Sequence, residues 1–441
     1  MSRRLLGLCG SGGVLLALTV TGLYAQREHG IDGFLVVALA QGAVYALASW
    51  LVWRGVRSRH AAAIIIGLAA AMRAVVVLAP PYLSSDIYRY VWDGRVMAAG
   101  INPYRYVPND PHLAALRDPD IFPEINRGNY ARTIYPPAAQ AIFFVVTRLG
   151  ESLTVMKLAM VGFEAVAVAL MLRLLMAAGK PAAWIAIYAW HPLPLWEFAG
   201  SGHIDAAMIA FVALALWSRR PWLTGLALAG GTLVKLYPAV LLPALWHRWD
   251  WRMPAVFCGA LVAAYLPFAW AGAHVFGFLP GYAGEEGFAG GAGFYWWNLA
   301  GSVLPLGGVS TLPYLAAAGC LLAALAVGVA FRQAGSGGDI HGAALLAAAF
   351  TVLLTPHYAW YFSWLVVFAC LVASPALVWL TATSFLLYLL PVWPQIVWNR
   401  HRLLIESALY VPFVILAAGE LWRCRRREPA SDDPCAARRP R

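Results

Sequence analysis

Apolar runs of roughly 16 to 22 residues follow one another along almost the whole chain, and no other feature limits its fold as much. A helix crosses the hydrocarbon of a bilayer in about 20 residues, because each residue adds about 1.5 Å of rise. With 61% hydrophobic and only 12% charged residues, too little charge is left to clothe a water-soluble surface. The expected fold class is an all-α polytopic membrane protein.

The basic residues indicate how such a chain threads the bilayer. They cluster at Arg3-Arg4, Arg54 to Arg59, Arg173 and Lys180, Arg219-Arg220, His247 to Arg252 and Arg423 to Arg427. Each cluster ends an apolar run, as the positive-inside rule requires. The net charge of +11 is therefore read as a topology signal, and no nucleic-acid partner is expected. With these clusters on the cytoplasmic side, spans are expected at 5–25, 32–53, 61–80, 152–174, 182–198, 204–218, 253–273, 311–331, 342–356, 358–373, 375–393 and 403–422. That makes about 12 transmembrane helices, within a range of about 11 to 13. Residues 136–150 are short, and 221–247 carry Lys235 at their middle, so both are expected to be re-entrant or broken. The expected organisation is one transmembrane domain over 1–422. Two extracytoplasmic loops, 81–135 and 274–309, project from it, the first carrying short interfacial helices. A basic, disordered cytoplasmic tail, 423–441, follows. The N-terminal run has no small-x-small cleavage site and is kept as the first span. Six cysteines show no metal or redox spacing, and four of them lie in apolar runs.

One polar stretch, from Pro80 to Arg95, interrupts the apolar pattern directly after the run 61–80. A carboxylate at the mouth of a span, among Tyr, Trp and Arg, is costly unless it has a task. Ser84 or Ser85 can cap a helix that starts at Asp86, which places Asp86, Arg89, Tyr90 and Asp93 on one face. The plain alternative is a solvated amphipathic helix with an Asp86–Arg89 pair. Two further polar groups fall at the same side of the membrane. Gly200-Ser201-Gly202-His203-Ile204-Asp205 could contact a polar substrate or merely open a helix. Pro356-His357-Tyr358-Ala359-Trp360-Tyr361 carries a histidine that could equally be structural. Glu285 and Glu286 read as solvated loop residues. Arg73 and Lys235, cations within or near the membrane, either snorkel or hold an anionic headgroup.

Ser84-Ser85-Asp86-Ile87-Tyr88, Gly100-Ile101-Asn102-Pro103-Tyr104 and Tyr135-Pro136-Pro137 together resemble the first external loop of C-superfamily glycosyltransferases. The similarity is closest to the polyprenyl-phosphate-mannose-dependent mannosyltransferases of family 87 and their relatives. Gly202-His203-Ile204-Asp205-Ala206, Lys235-Leu236-Tyr237-Pro238 and Pro356 to Tyr361 recur there in the same order, so the resemblance spans roughly residues 61 to 365. It implies a membrane enzyme of the cell envelope, in the inner or plasma membrane, with its active site on the extracytoplasmic face. Such an enzyme moves a hexose, here mannose, from a polyprenyl-phosphate sugar to a glycan or glycolipid acceptor. Asp86 matches the family's proposed general base for an inverting displacement. Arg73, Arg89 or Lys235 would then meet the departing phosphate, and Asp93, His203, Asp205 and His357 would orient the sugars or tune the base. No cofactor is required on this reading, although a divalent cation is compatible with it. A transporter or flippase of lipid-linked sugars would instead place polar residues at several depths with some internal symmetry. A lipid-linked glycan ligase or polymerase would share the same architecture.

Overall fold

The computed structural model of the chain describes residues 3–56, 60–288, 290–305, 309–332, 338–390 and 399–427. Among these residues every regular element is helical. Five helices are long and apolar enough, by length and composition, to cross a membrane: Arg3–Trp53, Leu153–Ala177, Arg252–Glu285, Leu312–Arg332 and Arg400–Arg423. Shorter apolar helices of 10–17 residues accompany them.

The first of the five is a hairpin. Its helix reverses at Gly30, whose φ of 63° lies in the left-handed region that a residue without Cβ enters at little cost. The two arms run back to back, so that Gln41 Nε2 donates to Thr19 Oγ1 at 3.1 Å and Arg4 Nη1 donates to the carbonyl of Arg54 at 2.5 Å. The expected spans 5–25 and 32–53 are these two arms.

Other expected spans are assembled from short pieces. Over 181–198 the prolines at 181, 192 and 194 remove amide donors. The backbone there passes through Ala182–Ile185 (3-10), Ala186–Ala189 and Pro192–Pro194 (α) and Leu195–Gly200 (π). Residues 185–200 are all buried, and irregular backbone at membrane depth is tolerated where protein covers it. The run 358–373 likewise divides into Ala359–Phe362 and Leu365–Val372. The run 375–393 gives Pro375–Thr383 and Ser384–Leu389, and its residues 391–393 lie outside the described residues.

Residues 136–150 form the helix Pro137–Leu149, whose 13 residues are too few to cross a bilayer. The segment 221–247 is a helix over Pro221–Thr232, a break at 233–236, and then Tyr237–Leu241 and Leu242–Leu245. The two partial segments meet, because the amides of Ala138 and Ala139 donate to the carbonyl of Leu233 at 3.1 and 3.2 Å. The C-terminal helix runs on to Arg427, so residues 423–427 are helical and only the remainder of the expected disordered tail, 428–441, lies outside the described residues.

A helix starts at Asp86, with Ser84 Oγ accepting from its amide at 3.1 Å, and continues to Ala98. It packs so closely on Pro137–Leu149 that a Cβ at Gly94 would stand 2.5 Å from the carbonyl oxygen of Phe143. Tyr90 stacks on Phe143 with ring centroids 4.5 Å apart. This contact carries the Asp86 end of the helix up against the break at 233–236.

The basic clusters gather at the opposite ends of these helices. Arg4 lies beside Arg54, Arg173 covers the Trp217 ring, and Arg219, His247 and Gly338 enclose one small hollow. The helix Ala61–Val77 leads from this basic end to the polar stretch at 81–89.

Candidate active site

Where the segments 81–89, 124–135, 278–282 and 358–361 converge, they enclose an open cleft of about 440 Å³. Asp86 stands in its wall, half-buried. Asn126 Nδ2 donates to its Oδ1 at 3.0 Å and the Tyr135 hydroxyl donates to its Oδ2 at 3.0 Å. Burial, reinforced by the Asp86 carboxylate, pushes the Tyr135 hydroxyl well above the usual phenol range. Tyr135 therefore keeps its proton and remains a donor. Each carboxylate oxygen has further lone pairs, so the group can still accept a proton from a ligand in the cleft.

Arg89, Arg127, Arg132 and Lys235 also line the cleft, which makes it strongly cationic around a few carboxylates. The Lys235 ammonium lies over two aromatic faces, 5.9 Å from the Tyr135 ring centroid and 5.2 Å from that of Tyr361. Tyr358 and Trp360, also in the cleft wall, stack at 4.2 Å with 16° between their planes. Such a platform suits the apolar C–H face of a sugar ring.

The segment 278–286 closes one side. Arg127 Nε donates to Glu285 Oε2 at 2.7 Å, and the Tyr130 hydroxyl donates to Glu285 Oε1 at 2.8 Å. These bonds bring Phe278 and Tyr282 into the cleft wall. The expectation that Glu285 and Glu286 are solvated is thereby corrected: Glu285 is a clasp between the loops, and Glu286 is buried. Burial raises the pKa of the Glu286 carboxyl. Behind Tyr282 and Tyr361, whose hydroxyls are 2.9 Å apart, lies an apolar groove of about 170 Å³. Phe288, Phe350, Leu354 and Trp364 are among its walls.

Of the charged and histidine residues given a role from sequence, Asp86, Arg89 and Lys235 line the cleft, and Arg73, Asp93, His203, Asp205 and His357 do not. Asp93 is buried one turn below, where Arg89 Nε pairs with its Oδ1 at 2.8 Å and Gln140 Nε2 donates to its Oδ2 at 3.0 Å. The ion pair on this helix is thus Arg89–Asp93, in place of Asp86–Arg89. His203 lies behind the aromatic platform, its ring 4.4 Å from that of Trp360 and its Nδ1 3.1 Å from Glu197 Oε2. Asp205 is fully buried beneath Lys235. His357 Nδ1 is 3.2 Å from Arg402 Nη1, which also donates to Glu406 Oε1 at 3.1 Å. Arg73 is furthest from the expected role. Inside the bundle it makes a two-pronged pair with Glu164, at 2.9 and 2.8 Å, and donates to the carbonyl of Ala189 at 2.8 Å.

Sequence reasoning passed over Asn126, Arg127, Glu164 and Glu197. The polar run Asn126-Arg127-Gly128-Asn129 within the loop was a signal for the first two. The other two are carboxylates in the middle of apolar runs, and such residues are seldom idle.

Loss of one Asp86 partner gives a graded test. Tyr135→Phe removes one hydrogen bond to a charged acceptor, an interaction of about 1.5 to 3 kcal/mol. Turnover is expected to fall roughly ten-fold or more, with the protein folded as judged by its thermal unfolding. Unchanged turnover would show that the Tyr135–Asp86 bond has no part in the reaction.

Comparison with curated proteins and with solved structures returns no match. A family match does cover more than half of the chain. It begins in the N-terminal hairpin, takes in Asp86, Asn126 and Tyr135, and ends just beyond the broken segment that presents Lys235. The chain belongs to the alpha-(1->6)-mannopyranosyltransferase family, a membrane mannosyltransferase family of the C superfamily, whose N-terminal domain it matches over residues 5–250.

Proposed function

We propose that the protein transfers mannose from a polyprenyl-phosphate donor to a hydroxyl of a glycan or lipid-linked acceptor, with Asp86 as general base. The observation that carries this reading is the carboxylate of Asp86, held by Asn126 and Tyr135 in a cleft whose wall also carries four cations and a group of aromatic rings. Asp86 takes the acceptor proton as that oxygen attacks the anomeric carbon, the bond to the phosphate oxygen breaks, and the configuration inverts. A single carboxylate suffices, because the leaving phosphate is already anionic and needs little protonation. Lys235 meets that phosphate as a point charge, with Arg127 and Arg89 contributing to the field. The aromatic platform of Tyr358 and Trp360 carries the sugar, and the apolar groove behind Tyr282 and Tyr361 receives the start of the lipid chain. The family description carries an alpha-(1->6) linkage, so the attacking oxygen is read as a primary 6-hydroxyl.

Sidedness follows from charge. The cleft lies at the helix ends opposite the basic clusters, and basic ends stay in the cytoplasm. The active site accordingly faces the extracytoplasmic space of an inner or plasma membrane. The cations lining the cleft supply the charge that a divalent ion would otherwise bring to the single phosphate, so no metal is required.

Purified protein in detergent tests the reading when supplied with synthetic polyprenyl-phosphate mannose or with nucleotide-linked mannose. Transfer is expected from the lipid phosphate alone, is expected to persist in excess chelator, and should give a product of opposite anomeric configuration to the donor. Transfer from the nucleotide sugar, or retention of configuration, would contradict it.

A further inference from the structure

We infer that Asp205 is a positioning residue, which holds the Lys235 ammonium on the cleft wall and keeps it off Asp86. The inference rests on the proposed role of Lys235 at the donor phosphate. Asp205 has no exposed surface and does not line the cleft, so no sugar can reach its carboxylate. Among the described residues, one hydrogen-bond donor and one cation face it. The Tyr237 hydroxyl donates to Oδ1 at 2.9 Å, and Lys235 Nζ lies 3.3 Å from Oδ2. An ionised carboxylate buried to this degree, with one neutral donor, is costly without a cation beside it. The link between the two charges is therefore enforced.

Both partners come from one short piece of chain. Lys235 sits in the break after the helix Pro221–Thr232, and Tyr237 opens the turn Tyr237–Leu241 two residues later. Asp205 is the first residue of the helix Asp205–Trp217 and is thereby fixed to a rigid element. The carboxylate thus grips the break at two points and aims Lys235, whose side chain is 13% exposed, into the cleft.

Lysine is a flexible point charge, and a second carboxylate is close at hand. Tyr135 offers its ring face to Lys235 and its hydroxyl to Asp86. Without Asp205, the ammonium would be drawn around this ring toward Asp86, since charges attract strongly in a partly buried site. Such a pair would both occupy the base and remove the cation from the phosphate.

Steady-state kinetics of Lys235→Met, Asp205→Asn and the double variant test this, with donor and acceptor varied separately. Each single variant is expected to raise the donor KM, and the inhibition constant of the product polyprenyl phosphate, by roughly ten-fold, while the acceptor KM is unchanged. The double variant should be no worse than Lys235→Met, because Asp205 acts through the lysine. Replacing both charges of a buried pair is tolerated far better than removing one, so where Lys235→Met alone does not fold, the double variant against the unchanged protein reads the loss of the lysine. Normal donor kinetics in Asp205→Asn, or a further ten-fold loss on adding it to Lys235→Met, would overturn the positioning role. Unchanged donor kinetics in Lys235→Met would overturn the phosphate role itself, and this inference with it.

Discussion

Asp86→Asn is expected to lower turnover by about 100-fold or more, in line with typical general-base contributions. The substitution keeps the shape of the side chain and one of the two oxygens that accept from Asn126 and Tyr135, yet removes its basicity. The donor should still bind, so its KM should move little. Asp93→Asn makes the contrast, since Asp93 is buried and committed to Arg89 and Gln140. Its loss loosens the helix and the Arg89 side chain, and the cost should appear chiefly as lowered thermal stability. A larger fall in turnover for Asp93→Asn than for Asp86→Asn, in folded protein, would remove the base assignment.

The second large effect concerns folding. Arg73→Met leaves Glu164 as a buried carboxylate without its cation, and breaking such a pair costs about 3 to 5 kcal/mol. The melting temperature in detergent should fall markedly. Replacing both residues, as Arg73→Met with Glu164→Leu, should recover most of the loss. The donor KM of folded Arg73→Met should be normal, because Arg73 joins the helices Ala61–Val77 and Leu153–Ala177 and does not line the cleft. A raised donor KM with unaltered stability would return Arg73 to the phosphate.

What could be read in the sequence was local. The helix beginning at Asp86 follows from a serine cap and an amphipathic pattern. The break around Lys235 follows from a charge and a proline within a run too short to be interrupted and still span. The N-terminal hairpin follows from two apolar runs with basic ends. What could not be read was the identity of distant partners. Arg73 meets Glu164 across 91 positions and Arg127 meets Glu285 across 158, and no spacing rule links residues so far apart. For the same reason spacing alone does not reveal that His203 lies behind Trp360, that Asp205 lies beneath Lys235 or that His357 meets Arg402. Hydropathy also overstates helix continuity. The run 182–198 is apolar enough to cross a bilayer, but its prolines and the burial of residues 185–200 allow a chain of short turns. In that run the intramembrane carboxylate Glu197, beside His203 and bonded by the Tyr388 hydroxyl at 2.6 Å, was the legible sign of irregularity.

The most direct measurement is a structure of the Asp86→Asn protein with polyprenyl-phosphate mannose bound, because the substitution should stall transfer without expelling the donor. The phosphate is expected within about 4 Å of Lys235 Nζ, the reach of an ion pair. The anomeric carbon should face the side chain at position 86, and the lipid should leave past Tyr282 and Tyr361. A phosphate bound away from Lys235, or a mannose whose anomeric carbon points away from position 86, would contradict the account.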